Sequence, residues 1–297
     1  MFPKVPDQHK VDRPLIPNGL GVLYVLTTTV YLFSIYFSNK VFNLGLDTSA
    51  NGVSAALTLA VCILFGGFMG LLDDFMDLKW RYKAFMPLIA ALPLMYYALE
   101  LEKLGLIRTS ISIPFVGTIQ FGEAYIFLII PLIVMIVTNT VNQLGGLNGL
   151  ETICPAIVII GLMALSPSYI LMLGPLVFWL ILVYSNVKGK IFVGNSGSFA
   201  IGITIASFAV IADLKLSLLI SILPYIFNSS IILLSVFFVR KKAKVHFDGK
   251  KLSSNNRRSL VTVITYHRPL TERQVVVIIS LIVALFTLLG ALIQLLS

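Results

Sequence analysis

Nine runs of mostly apolar residues alternate with polar segments along the chain, at 19–37, 52–72, 84–99, 123–140, 151–165, 168–185, 198–213, 215–239 and 274–296. A helix that crosses a bilayer needs about 20 such residues. The pattern therefore predicts nine transmembrane helices, the third and fifth of them short. One polar stretch has a different period. Ile111, Ile113 and Phe115 alternate with small or polar residues, and so do Ile119 and Phe121, around Pro114 and Gly117. A period of two at that place predicts a short β-hairpin. No repeat or low-complexity segment divides the chain, so residues 1–297 are expected to form one domain. The fold class expected is an all-α integral membrane protein.

Composition agrees. Hydrophobic residues make up 58% of the chain and charged residues 12%, with a mean hydropathy of +0.95. A soluble domain carries about 25% charged residues, so lipid surrounds most of this chain. If the N-terminus is cytoplasmic, eighteen of the 22 Lys and Arg residues fall on that side. Lys40, Lys103, Arg108 and Lys215 are the four on the other. This bias orients the protein and supports an odd number of spans, with the hairpin on the outer face. The net charge of +9 sits in loops between apolar runs. It reads as topology and anionic headgroup contact rather than nucleic-acid binding. Cys62 and Cys154 have no CxxC spacing and no neighbouring histidine, which fits small buried hydrophobes.

Polar chemistry concentrates at the cytoplasmic ends of the spans. Asp73, Asp74 and Asp77 close the second run, followed by Lys79, Arg81 and Lys83. Carboxylates at a helix C-terminus are disfavoured by its dipole and by one another, so a cation is expected to compensate them, a nearby Lys or Arg or a metal ion. A loop that only sets topology would explain the basic residues but not the aspartates. Asn139 and Asn142 share a helix face ahead of Gly145, Gly146, Asn148, Gly149 and Glu151. That segment is either a glycine loop offering backbone amides to a ligand or a plain helix connector with capping asparagines. Asn195, Ser196 and Ser198 precede another run, as an anion site at a helix N-terminus or as ordinary caps. Residues 240–273 hold Arg240, Lys242, His267 and Arg268, suited to phosphates or to lipid headgroups. Together these clusters suit a diphosphate substrate at the interface and a second substrate in lipid.

At this point the motifs resemble a known family. The N-terminal segment 7–21, LLDDFMDLKWRYK and NTVNQLGGLNGLE, in that order, are similar to motifs of the polyprenyl-phosphate N-acetylhexosamine-1-phosphate transferases. Within them, the Asn-Gly-Leu-Glu ending resembles the archaeal and eukaryotic branch, the UDP-N-acetylglucosamine–dolichyl-phosphate N-acetylglucosamine-phosphotransferases. The resemblance implies transfer of N-acetylglucosamine-1-phosphate from UDP-N-acetylglucosamine to a polyprenyl phosphate such as dolichyl phosphate, with release of UMP. That reaction would begin a lipid-linked oligosaccharide for N-glycosylation. It further implies Mg²⁺, or Mn²⁺ in its place, a multi-pass location in the plasma or endoplasmic reticulum membrane, and a homodimer as one assembly option. By the same analogy Asn142 and Asn195 are metal ligands and Lys83 binds the diphosphate. Asp73 and Asp74 position or deprotonate the lipid phosphate. Phe192 stacks on uracil, Gly146 and Asn148 lie in the nucleoside loop, and Glu151 closes that motif. Arg240, Lys242, His267 and Arg268 approach the sugar diphosphate.

Two departures stand out. The family usually has aspartate where this chain has Asn195, which offers an oxygen but no charge. The family also usually has ten spans, where nine are legible here. Two rival readings remain. One keeps the chemistry but uses undecaprenyl phosphate and a wall polymer; the other is a non-catalytic or transport role. A transporter should place polar groups near mid-span. The candidates, Asn228, Ser229 and Ser230, are explained equally by helix packing.

Overall fold

The computed structural model describes residues 2–47, 49–50, 52–113 and 117–296. Every one of the nine apolar runs is helical. The chain passes through α1 (Gly21–Phe42) and α2 (Ala55–Met76). It continues through α3 (Trp80–Phe85), α4 (Pro87–Ala90) and α5 (Leu92–Lys103), which act as one span. A π-helical turn, Tyr125–Ile129, leads into α6 (Ile130–Gln143). Then come α7 (Leu150–Leu165), α8 (Ile170–Val187), α9 (Gly194–Ile211), α10 (Lys215–Ser221), α11 (Leu223–Leu234), α12 (Leu260–Ile264) and α13 (Glu272–Leu296).

Among the described residues, seven helices are long and apolar enough to cross a membrane alone. The eighth run differs from its expected form: α10 and α11 meet at a bend of 52°. Pro224 explains the break, because it stands in the first turn of α11. There its missing N–H is tolerated, while its ring prevents a continuous helix through Ile222. The fifth run, α7, has 16 residues, short as expected, and it packs against α8, α9 and α13.

Small antiparallel pairs decorate the two ends. β1 (Lys4–Pro6) pairs with β2 (Leu15–Pro17), β3 (Ser49–Ala50) with β4 (Val53–Ser54), β5 (Ser110–Ile113) with β6 (Gly117–Gln120), and β7 (His246–Phe247) with β8 (Leu252–Ser253). β5 and β6 are the expected hairpin, with Ile111 opposite Ile119. Pro114 and Phe115 lie outside the described residues.

α9 is the axis of the bundle. Every residue from Ser196 to Val210 is buried, and 83% of its apolar stretch is enclosed, against 28% for α13. Yet α13 is the most apolar span and α9 among the least. The inversion has a simple cause. A lipid-facing helix must be apolar all along that face, whereas a helix surrounded by protein can use Gly, Ser and Thr to bring backbones close. Gly70 on α2 shows how close: a Cβ there would lie 2.2 Å from the Asn195 carbonyl oxygen. Gly70→Ala is therefore expected to lower stability by about 1–3 kcal/mol. Thermal unfolding in detergent checks this, and an unchanged midpoint would contradict the close approach.

The end carrying β5 and β6 is held by charge pairing. Buried Lys215 pairs with Asp213 at 2.8 Å, donates to the Arg108 carbonyl and lies 4.4 Å from the Tyr125 ring centre. Arg108 pairs with the same aspartate at 3.8 Å, and Lys103 with Glu100 at 2.6 Å. Three of the four basic residues at this end are thus ion-paired, Arg108 and Lys215 sharing the one carboxylate of Asp213.

Candidate active site

At the opposite end, three loops and a helix terminus converge. α2 ends where Asp77 turns left-handed (φ 44°) and its amide donates to the Asp73 carbonyl. This termination projects the two preceding aspartates in different directions. Asp73 is buried, 3% exposed. Its Oδ1 accepts from the Leu78 amide at 3.0 Å and pairs with Lys83 Nζ at 2.8 Å; its Oδ2 has no hydrogen-bond partner. Lys83 stands on α3, which Asn139 ties to α6: its Nδ2 donates to the Ala84 carbonyl at 3.0 Å. The cation expected beside the aspartate pair is thus Lys83, for Asp73.

Asp74 is compensated differently. Its Oδ1 accepts from the Asn195 amide at 2.8 Å and its Oδ2 from the Ser196 amide at 3.0 Å. The disfavoured C-terminus of α2 is placed against the favourable N-terminus of α9, where free N–H groups and the dipole welcome a carboxylate. The sequence reading put Asn195, Ser196 and Ser198 before this helix. The structure starts it at Gly194, and the anion at its N-terminus is the protein's own.

Between these elements lies a cavity of about 310 Å³. Its walls are Val5, Asn18, Asp74, Asn142, Gln143, Gly145, Gly146, Glu151, Phe192, Gly194 and Asn195. Gly146 and Gly149 take left-handed conformations (φ +89° and +95°), which fold the segment after α6 back over the cavity. Asn142 Oδ1 accepts from Ser198 Oγ at 2.6 Å, joining α6 to α9. Of the residues singled out from sequence, Asp74, Asn142, Gly146, Glu151, Phe192 and Asn195 meet at this one cavity, with Asp73 and Lys83 one residue away from Asp74 along α2 and across on α3.

The polar side chains lining the cavity are two carboxylates, Asp74 and Glu151, and four carboxamides, Asn18, Asn142, Gln143 and Asn195. All are hard oxygen donors, the set that suits a small divalent cation sharing its coordination with phosphate oxygens. Among the described residues no group of three or more His, Cys, Asp or Glu surrounds one point. That also fits a cation held partly by its substrate rather than by an all-protein cage.

Other expected residues lie elsewhere. Asn148 is buried, 8% exposed, and both its backbone and side-chain N–H groups are bound to carboxylates. It does not line the cavity. Lys242 lines a second, basic cavity with Lys241, Lys244, His246, Asn255, Asn256 and Arg258. Arg240 is an exposed left-handed residue (φ 54°) ending the π turn after α11. His267 bonds the Arg257 guanidinium at 2.8 Å, and Arg268 is exposed. None of these four lines the central cavity. Asn228 is no mid-membrane group: its Oδ1 accepts from the Leu260 amide at 2.8 Å and its Nδ2 donates to the Gln143 carbonyl at 3.3 Å, tying α11 to α12 and α6. Residues missed from sequence include Val5 and Asn18, which line the cavity, and Asn186, which grips the Gly149 amide at 2.8 Å. The signal for Asn186 was a lone carboxamide in the last turn of an otherwise apolar helix.

The chain is similar to several known proteins. A Saccharolobus solfataricus protein, provisionally named UDP-N-acetylglucosamine–dolichyl-phosphate N-acetylglucosaminephosphotransferase, is 29% identical, covering 97% of this chain and 87% of the relative. The Schizosaccharomyces pombe protein of that name is 26% identical over 75% of this chain and 58% of its own length. A Streptococcus uberis phospho-N-acetylmuramoyl-pentapeptide-transferase is 26% identical over 82% and 73%. The family model described as glycosyl transferase family 4 matches residues 55–213, more than half of the chain, from the start of α2 through the aspartates, the glycine loop and all of α9. The chain belongs to glycosyl transferase family 4.

Proposed function

We propose that this protein transfers N-acetylglucosamine-1-phosphate from UDP-N-acetylglucosamine to dolichyl phosphate or a related polyprenyl phosphate, releasing UMP. The observation that carries the reading is one cavity that gathers Asn18, Asp74 and Asn142–Glu151 from the three motif segments, together with Phe192–Asn195. The names of the archaeal and yeast relatives support the substrates. The excess of basic residues at this end supports a cytoplasmic active site.

In the reaction, an oxygen of the lipid phosphate attacks the β-phosphorus of the sugar nucleotide. The bond from that phosphorus to the bridging oxygen breaks, and UMP leaves with the oxygen. Phe192, in the cavity wall, offers a face for the uracil ring. The glycine loop offers backbone amides at its left-handed turns. Lys83 supplies positive charge to the transferred phosphate, and Asp73 sets where that charge sits. A diphosphate entering beside Asp74 and Glu151 adds negative charge to negative charge. Bound Mg²⁺ or Mn²⁺ would offset this repulsion, held by Asn142, Asn195 and the two carboxylates with the substrate's own oxygens. We assign the reaction to the opening step of lipid-linked oligosaccharide assembly.

Purified protein given UDP-N-acetylglucosamine, dolichyl phosphate and Mg²⁺ is expected to form UMP and the diphosphate-linked lipid in equal amounts. EDTA should abolish both products, and Mg²⁺ or Mn²⁺ should restore them. A panel of acceptors separates dolichyl from undecaprenyl phosphate. Absence of UMP in wild type and in Asn195→Asp, across nucleotide sugars and lipids, would sink the reading.

A further inference from the structure

The loop between α6 and α7 is gripped from three distant parts of the chain. The Asn148 amide donates to Glu272 Oε1 at 2.8 Å. Its side-chain Nδ2 donates to Asp7 Oδ2 at 2.8 Å and to Glu272 Oε1 at 3.1 Å. Glu272, in the first turn of α13, is held in turn by Lys10 Nζ at 2.9 Å. On the next residue, the Gly149 amide donates to Asn186 Oδ1 at 2.8 Å, which also accepts from Thr152 Oγ1 at 3.0 Å. Asn186 Nδ2 donates to the Ile191 carbonyl at 2.9 Å, beside Phe192. Two consecutive loop residues thus fix the N-terminal hairpin, the start of α13 and the end of α8 relative to one another.

The physical need is clear. Gly145 and Gly146 line the cavity, and glycine loses more backbone freedom than any other residue when ordered. A loop left free would meet that cost on binding; a loop already held does not. Asn148 is the handle, and Glu272 holds more of it than any other residue, accepting from both of its donor groups.

We propose that Glu272, which lines no part of the cavity, is a positioning residue: through Asn148 it presets the glycine loop for the nucleotide end of the substrate. This rests on the function proposed above. Asp7 shares the side-chain bond from the hairpin, and Lys10 holds the other oxygen of Glu272 from outside. The acceptor oxygen of Glu272, rather than its charge, makes the contact with the loop.

The test is equilibrium binding of UMP, without lipid acceptor, to wild type and to Glu272→Ala, Glu272→Gln, Glu272→Asp and Lys10→Ala. Losing bonds from two donors to one carboxylate is expected to weaken UMP about tenfold in Glu272→Ala. Glu272→Gln keeps an acceptor oxygen and should stay within about threefold, as should Lys10→Ala, which removes only an exposed ion pair. Glu272→Asp withdraws the acceptor by one methylene and should weaken UMP by more than the glutamine variant does, which keeps the proposal testable if the alanine variant does not fold. In turnover, KM for UDP-N-acetylglucosamine should rise with the loss of UMP affinity while kcat and the lipid KM hold. A merely structural role would lower the active fraction, and so kcat, without that split. If wild type binds UMP and both the Ala and Asp variants bind it equally well, the positioning role is wrong and the proposed function stands. If wild type binds no UMP, both fall together.

Discussion

Lys83→Ala is expected to abolish UMP release and to destabilise the protein at the same time, and the two effects can be separated. Lys83 Nζ lies 2.8 Å from an Asp73 carboxylate whose side chain is 1% exposed, while Lys83 itself is 27% exposed. Removing the lysine leaves a buried carboxylate with one backbone amide as its remaining partner. Breaking a buried pair from one side costs roughly 3 kcal/mol or more, reduced here because one partner reaches water. Adding Asp73→Asn removes the stranded charge. The double variant Asp73→Asn/Lys83→Ala should therefore unfold at a temperature closer to wild type than Lys83→Ala does. It should remain inactive, because the positive charge needed on the transferred phosphate is still missing. Thermal unfolding and single-turnover UMP release measure the two effects independently. Near-normal turnover in either single variant would remove Lys83 and Asp73 from the reaction.

Asp74 carries the second large effect, and its mechanism is different. Both of its oxygens are used by the first amides of α9, so it pins the buried axis of the bundle to α2. Asp74→Ala removes two charge-assisted bonds of about 1.5–3 kcal/mol each and exposes the helix terminus to whatever anion is present. Asp74→Asn keeps one acceptor oxygen and the shape. The expected order of stability is wild type, then Asn, then Ala, with the Ala variant losing about 2–4 kcal/mol after relaxation. Turnover should fall at least 100-fold in both, since the cavity wall moves and a carboxylate is lost from it. If the alanine variant unfolds at the wild-type temperature, the clamp does not hold the helix.

Much of this was readable before any fold was known. The nine helical runs follow from the requirement that backbone polar groups be satisfied inside lipid, and the hairpin follows from its period of two. Asp74, Asn142, Glu151 and Asn195 stood out because polar side chains are expensive near a membrane and therefore conspicuous in an apolar chain, Gly146 because it stands in a glycine-rich turn, and Phe192 only through the family resemblance. The break at Pro224 was visible as a residue but not as a bend of 52°, since a proline near a helix end and one inside a helix look alike without knowing where the helix starts.

Other features escaped for a common reason. Asp74 was expected to need a cation; it found a helix N-terminus that starts 120 residues later, at Gly194. Asn148 was placed by analogy in the nucleoside loop; what the sequence did not show is that its side chain bonds Asp7 and Glu272, one at each end of the chain. Glu272 was hidden in a basic loop, where a single acid reads as charge balance. Arg240, Lys242, His267 and Arg268 were placed by analogy beside the sugar diphosphate, but the geometry keeps them off the central cavity.

Hydropathy and charge act residue by residue, so the order of residues was enough to mark the apolar spans, the basic end of the bundle and the candidate side chains. Which carboxylate is paired, which is capped and which side chains face the cavity emerged with the fold. Those outcomes depend on distances between segments far apart in the chain, and hydrogen bonding fades within a few tenths of an ångström.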